Sequence, residues 1–139
     1  MKRGLASLLC LAAVFALAIT ARAQDQSVEY GRFEELKGVQ KIFVDTGDDL
    51  ALRNIIKDIL EKQLHLTVAD RPEDAEHVMI FRWSSGGNLW FGRAFVAKRI
   101  SPERLRILSS YRASETELDD LADEYAKWFA KRFKALGGS

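Results

Sequence analysis

The residues best suited to chemistry are Asp45, within Ile42-Phe43-Val44-Asp45-Thr46-Gly47, and the two histidines, His65 and His77. A carboxylate at a strand end can catalyse acid–base chemistry when a second carboxylate shares its proton. The histidines are twelve residues apart and no third ligand stands at a metal spacing, so we expect no metal site. The serines lack the glycines of a nucleophile elbow, and no glycine-rich phosphate loop precedes a helix. We therefore predict no catalytic constellation, no cofactor and no enzymatic activity.

The run ending in Asp45-Thr46-Gly47 nevertheless resembles the apolar-apolar-Asp-Thr-Gly strand end of aspartic proteases. That resemblance implies a secreted hydrolase in which Asp45 shares a proton with the same residue of a second copy. In that family the motif leads into β-structure, whereas here an amphipathic helix follows at once. The alternative interpretation is structural: a strand end, a glycine turn and a helix cap.

The first 23 residues have the pattern of an export signal. Lys2 and Arg3 form a basic start, residues 5–19 are apolar, and Ala21-Arg22-Ala23 supplies the small-x-small pattern that a signal peptidase reads. We predict a signal peptide that is cleaved near Ala23-Gln24 and a periplasmic or secreted protein. The alternative is an uncleaved N-terminal anchor, because signal and anchor segments overlap in pattern.

Removal of that signal changes the composition that matters for function. The chain has 139 residues and one cysteine, Cys10, which lies inside the signal. The mature chain is therefore cysteine-free, which excludes disulfides and thiolate catalysis. It retains 18 basic against 20 acidic residues, and 47% of the whole chain is apolar. We expect one globular domain with no transmembrane span and no nucleic-acid partner.

The mature chain divides into an N-terminal arm, residues 24–38, and a single domain, residues 39–139. Hydrophobic periodicity predicts the order β-α-β-β-β-α, with Thr46 or Asp48 capping the first helix and a Ser114-x-x-Glu117 capping box starting the last. We expect an α+β two-layer sandwich, with both helices on one face of a mixed five-stranded sheet. The predicted strands cover residues 39–45, 66–69, 77–83, 89–99 and 104–112.

Two helices leave one face of such a sheet open, and the sequence does not make that face polar. Val78 and Ile80 point one way while Met79, Phe81 and Trp83 point the other, so both faces are apolar. The arm, a second copy of the chain or a partner must cover the second apolar set.

Charge is concentrated beside this surface. Residues 82–112 hold seven bases against one acid, Glu103. A field of one sign attracts opposite charge, and aromatic residues with arginines at a hairpin tip suit an anionic amphiphile, a glycan phosphate or an acidic protein surface. The alternative is that the aromatics close the core and the bases pair with the acidic start of the last helix. The candidate binding residues are Arg82, Trp83, Trp90, Phe91, Arg93, Arg104, Arg106 and Arg112.

Residues 39–81 resemble small bacterial envelope domains of the LPS-assembly-lipoprotein type. The shared features are an apolar strand ending in Asp-Thr-Gly-Asp, a helix, and the run from Asp70 to Ile80 that enters the next strand. The resemblance implies a non-enzymatic envelope component, although the cysteine of a lipoprotein cleavage site is missing. We expect an exported binding or assembly module whose partner is an envelope protein or an anionic amphiphile. The alternatives are the hydrolase that uses Asp45 and a structural homodimer.

Overall fold

The computed structural model describes residues 28–138, and the predicted signal peptide and residues 24–27 of the arm lie outside the described residues. Six strands and two long helices form the fold. The helices are α1 (Leu50–Leu64) and α2 (Leu118–Phe133), and short 3-10 turns cover Phe33–Leu36 and Pro72–Asp74. The strands are β1 (Glu29–Tyr30), β2 (Lys41–Asp45), β3 (Thr67–Ala69), β4 (His77–Gly86), β5 (Leu89–Ser101) and β6 (Arg104–Glu115).

The strands form one mixed sheet in the order β1-β6-β5-β4-β2-β3. Strand β2 pairs in parallel with β3 and β4, while β4, β5 and β6 form an antiparallel meander. The predicted α+β class and two-layer arrangement are confirmed. The sheet has six strands rather than five because Glu29–Tyr30, in the predicted arm, pairs in parallel with Arg106 and Ile107 of β6.

Helix α1 begins at a cap that differs from the prediction. Asp49 is the N-cap, and its carboxylate accepts a hydrogen bond from the Leu52 amide at 3.0 Å. Thr46 instead donates its hydroxyl hydrogen to the Asp49 carbonyl, and Asp48 lies in the preceding turn. The prediction that Thr46 or Asp48 caps the helix is therefore wrong. The capping chemistry is the expected one, displaced by one residue from Asp48.

Helix α2 also starts later than its predicted capping box. Glu117 is the N-cap and makes no side-chain capping hydrogen bond. Ser114 pairs with Phe91 as part of β6, and Glu115 pairs with Trp90. The prediction of a Ser114-x-x-Glu117 capping box is wrong because sheet pairing with the long strand β5 outweighs the local preference. The helical spacing of apolar residues between Leu118 and Leu136 predicts one buried stripe, and this prediction is confirmed. The stripe residues that pack in or against the main core are Leu118, Leu121, Ala122, Tyr125, Phe129 and Phe133 of α2, and Leu136 just after it.

Close approach between α2 and the sheet depends on one glycine. A Cβ atom at Gly92 would lie 2.6 Å from a methyl carbon of Leu121. The Tyr125 hydroxyl donates a hydrogen bond to the Phe95 carbonyl at 3.2 Å, which anchors the same helix to the same strand. Both contacts fix α2 over β5 and β6, on the helix side of the sheet.

Candidate functional site

The sheet has two apolar faces, and only one of them is covered by helices. The main core lies between the sheet and both helices, and includes Val44, Met79 and Val96. A second apolar cluster of buried and half-buried residues lies on the opposite face. No residue of α1, α2 or the 3-10 turns belongs to this second cluster. We call this surface the far face; its cluster comprises Phe43, Val78, Ile80, Phe95, Ala97, Leu105 and Ile107.

Strand register aligns the far-face side chains in rows, because residues directly opposite each other in neighbouring strands share a face. One row is apolar across all six strands. It consists of Ala69, Phe43, Val78, Ala97, Ile107 and Tyr30. Tyr30 at the end of this row is 71% exposed. The far face is therefore continuously apolar; Ala69, Val78 and Ala97 are buried within it, and Phe43 and Ile107 are half-buried.

The described part of the arm lies on the helix side instead of the far face. Phe33 and Leu36 are buried in the main core, where the Phe33 ring lies 5.7 Å from the Phe129 ring and 6.2 Å from the Trp128 ring. Only Tyr30 of the arm reaches the far face. The arm is one of the three covers that the sequence predicts for the far face, and its described part does not cover that face.

A row of arginines crosses the far face beside the apolar row. Arg82 pairs with Arg93, and Arg93 pairs with Arg112, so three guanidinium groups come from neighbouring strands. Arg82 also binds Asp45, with Nη2 at 3.1 Å from Oδ2. Within residues 28–138, neither Arg93 nor Arg112 has a carboxylate at ion-pair distance. Like charges directly opposite each other destabilise a sheet, so the row costs stability.

The arginine row lies near the apolar row at a distance set by strand geometry. Ala97 is four positions after Arg93 along β5, which corresponds to about 13 Å at 3.3 Å per residue. Ile80 and Phe95 fill the interval between the two rows. Phe91, which is 45% exposed, lies beyond the arginines toward the hairpin turn. The far face thus combines a cationic row with a larger apolar area.

Two of the predicted arginines lie on the helix side. Arg106 binds the carboxylate of Glu35 through Nε and Nη2, both at 2.9 Å, and its Nη1 lies 3.2 Å from Glu29. Arg104 lies 3.6 Å from Glu29. The side-chain hydrogen bond from Arg106 lowers the pKa of Glu35 to about 2, so this pair stays charged through the mildly acidic range. These two arginines hold the arm against β6 and do not join the arginine row.

A bulge explains why the simple alternation of β6 fails. Strict alternation along residues 104–112 predicts Leu105, Ile107 and Tyr111 on one face and Arg104, Arg106 and Arg112 on the other. In the structure Val96 pairs with Ser109 while its neighbour Ala97 pairs with Ile107. The extra residue at the bulge shifts the side-chain phase by one position. Tyr111 therefore packs in the main core while Leu105 and Ile107 join the far face, so the single-face prediction for these three residues is wrong.

The two predicted tryptophans pack against the main core. Trp83 stacks on Phe81 at 5.5 Å, and Trp83 and Trp90 both contact the helix-side cluster. Of the eight candidate residues, the structure brings four together on the far face and places the other four on the helix side. The four far-face residues are Arg82, Phe91, Arg93 and Arg112.

No family model and no curated protein matches the chain. Among solved structures, it is similar to the 2.35 Å crystal structure of a minor lipoprotein from Acinetobacter baumannii. The two chains share 12% identity with a TM-score of 0.41, over 71% of this chain and 93% of the other. We draw no functional conclusion from a similarity at this level.

The Asp45 carboxylate is engaged on both oxygens. Oδ1 accepts a hydrogen bond from the Gly47 amide at 2.9 Å, and Oδ2 pairs with Arg82. Asp49, four positions further along, caps α1. These contacts give Asp45 a role in closing the turn between β2 and α1 and in neutralising one end of the arginine row.

The histidines lie apart in the fold. His65 ends α1 in a left-handed conformation, with φ of 57°, while His77 is buried at the start of β4. Burial, together with the charge of Lys98, lowers the pKa of His77 and favours its neutral form. Residues 28–138 contain no group of three potential metal ligands. Neither long helix in the same range has the length and hydropathy needed to cross a membrane.

Proposed function

We propose that this chain is an exported, non-enzymatic binding module of the bacterial envelope, and that its far face binds an anionic amphiphile. Export rests on the predicted signal peptide. The binding role rests on one observation: a continuous apolar surface lies beside Arg93 and Arg112, neither of which has a carboxylate at ion-pair distance within residues 28–138. The accessible apolar area of the far face comes from the half-buried side chains of Phe43, Phe95, Leu105 and Ile107, and contiguous exposed apolar patches on soluble proteins usually mark interaction sites.

The chemistry of the two rows favours an amphiphile over a second copy on this face. Arginine presents a planar fork of donors that suits phosphate and carboxylate groups, so Arg93 and Arg112 fit an anionic headgroup. The apolar row, including Val78 and Ile107, offers hydrocarbon contact, with polar groups near its two ends, where the Arg53 guanidinium carbon lies 5.7 Å from the Phe43 ring centre and Tyr30 carries a hydroxyl. Two arginine rows placed against each other would bring like charges together, and like-charge contacts oppose association.

The non-enzymatic part of the proposal is supported by the sequence, which contains no catalytic constellation. It is also supported by the contacts of Asp45. One oxygen of this carboxylate contacts Arg82 and the other accepts the Gly47 amide hydrogen, so both are already engaged within the chain, whereas proton sharing requires direct contact with a second aspartate.

Vesicle flotation tests this function. The mature protein is expected to bind vesicles that contain phosphatidylglycerol and not vesicles of phosphatidylcholine alone. Each basic residue near an anionic surface contributes about 1 kcal/mol, so the double variant Arg93→Glu/Arg112→Glu is expected to lose binding by at least about tenfold.

The matched control is Arg32→Glu/Lys37→Glu, which makes the same charge change at exposed positions of the arm. This control is expected to bind as the unmodified protein does. Equal loss in both double variants would mean that only net charge matters, and absence of binding to any vesicle would overturn the proposed ligand class. Capture of an acidic protein without vesicle binding would have the same consequence.

A further inference from the structure

Strand β6 has an unpaired outer edge along most of its length. It covers residues 104–115, but β1 pairs only with Arg106 and Ile107, and Gly31 adds one hydrogen bond to the Ile107 carbonyl. From Leu108 onward, no described strand pairs with the outer edge. Such an edge presents backbone donors and acceptors that can pair with another strand.

A groove runs along this edge, between β6 and α2. Its volume is about 520 Å³, and it is lined by Tyr111 and Glu115 of β6 and by a series of α2 residues with helical spacing that includes Asp120, Glu124 and Lys131. The Tyr111 ring stacks on Trp128 at 4.7 Å and its hydroxyl donates a hydrogen bond to Glu124 at 2.9 Å. The groove therefore follows the helix for about three turns beside the open edge.

The groove-facing side of α2 has an ordered charge pattern. Its first half carries Asp120, Asp123 and Glu124, and its second half carries Lys127 and Lys131. A helix with this pattern is complementary to an antiparallel copy of itself, because the acids of one copy then face the lysines of the other.

We propose that a second copy of this chain pairs edge to edge with residues 108–114 of β6, the part that β1 leaves unpaired, antiparallel and about a twofold axis perpendicular to the sheet at Tyr111. The two sheets become one sheet of twelve strands, and the two α2 helices lie side by side over the join. This inference does not depend on the proposed ligand of the far face.

The spacing of sheets and helices agrees with this arrangement. Each α2 packs over β5 and β6. With strands about 4.8 Å apart, the two helix axes would be separated by two strand spacings, about 10 Å. That separation is at the upper end of the 8–10 Å at which helices pack together.

The positions of the charged residues favour a register in which the two copies of β6 cross at Tyr111. With the axis at Tyr111, Arg112 of one copy lies opposite Ser110 of the other, whereas an axis at Arg112 would place two arginines face to face. An axis at Ala113 would shift the crossing toward the start of α2 and bring acid against acid. Tyr111 contacts Glu124 and Trp128, which lie where the acidic half of α2 changes to the basic half.

Charge reversal on α2 tests the dimer in the full mature chain by analytical ultracentrifugation. We expect a concentration-dependent dimer, weakened by about tenfold or more in Lys131→Glu and in Asp120→Lys, because each places like charges across the interface. The variant with both changes restores complementary charge and is expected to regain dimerisation. Lys62→Glu, on α1, is the matched control and is expected to have no effect.

Disulfide trapping tests the register. In the mature chain, which has no cysteine of its own, we mix a Ser110→Cys chain with an Arg112→Cys chain under mild oxidation. The mixture is expected to form a crosslinked pair, and each chain alone is expected to form little. A monomer at every soluble concentration would overturn the proposal. A dimer that is insensitive to the α2 charges, or that does not crosslink between positions 110 and 112, would overturn it equally.

Discussion

Phe95→Asp is expected to leave the protein folded but unable to bind anionic vesicles, whereas Val96→Asp is expected to unfold it. The two residues are neighbours on β5 and receive the same substitution, but their side chains lie on opposite faces of the sheet. Val96 is fully buried under the helices, where an unpaired charge costs several kcal/mol or forces local opening. Phe95 is half-buried on the far face, where a carboxylate can reach water and Arg93 lies two residues away.

Circular dichroism and urea unfolding measure the first half of this prediction, and vesicle flotation measures the second. If both variants unfolded to the same extent, the far face would be as well covered as the core. If Phe95→Asp bound vesicles as the unmodified protein does, the apolar part of the far face would have no role in binding.

Phe33→Ala is expected to lower the free energy of unfolding by about 3–5 kcal/mol, as truncation of buried phenylalanines typically does. Phe33 is 4% exposed and packs edge-on against Trp128 and Phe129, and the guanidinium carbon of Arg132 lies 4.1 Å from its ring centre. The substitution therefore removes a residue of the main core, although it lies in what the sequence suggests is an arm.

Urea denaturation measures this effect, with Tyr30→Ala as the matched control. Tyr30 belongs to the same arm and is 71% exposed, so its truncation is expected to change stability by no more than about 0.5 kcal/mol. Equal and small effects of both substitutions would mean that the arm is not part of the folded core.

Periodicity in the sequence predicts the helices and the α+β class, because buried positions such as Leu52, Ile56 and Leu60 repeat at helical spacing. It does not predict β1. That strand has only two residues, and its pairing with β6 depends on the burial of Phe33 and on the ion pair of Glu35 with Arg106. Such long-range contacts leave no local pattern.

The sequence predicts one part of the candidate site, the second apolar face, but not the alignment of the arginines. Unpartnered apolar residues on a second sheet face follow from alternation in β4, where Val78 and Ile80 oppose Met79 and Phe81. The alignment of Arg82 with two other arginines follows from strand register, which alternation does not determine. The bulge in β6 also reverses the face of every later residue in that strand. Arg112 therefore lies on the opposite face of the sheet from Arg104 and Arg106, which the alternating pattern of the sequence does not predict.

Nuclear magnetic resonance tests the central claim, that the far face is open and binds an anionic amphiphile. A methyl-labelled mature protein is titrated with lysophosphatidylglycerol below its micelle concentration. We expect saturable shifts of the far-face methyl groups of Ile80, Leu105 and Ile107, and no shifts for the core residues Ile56 and Leu60. Shifts centred on the helices, or no saturable shifts on the far face, would contradict the account.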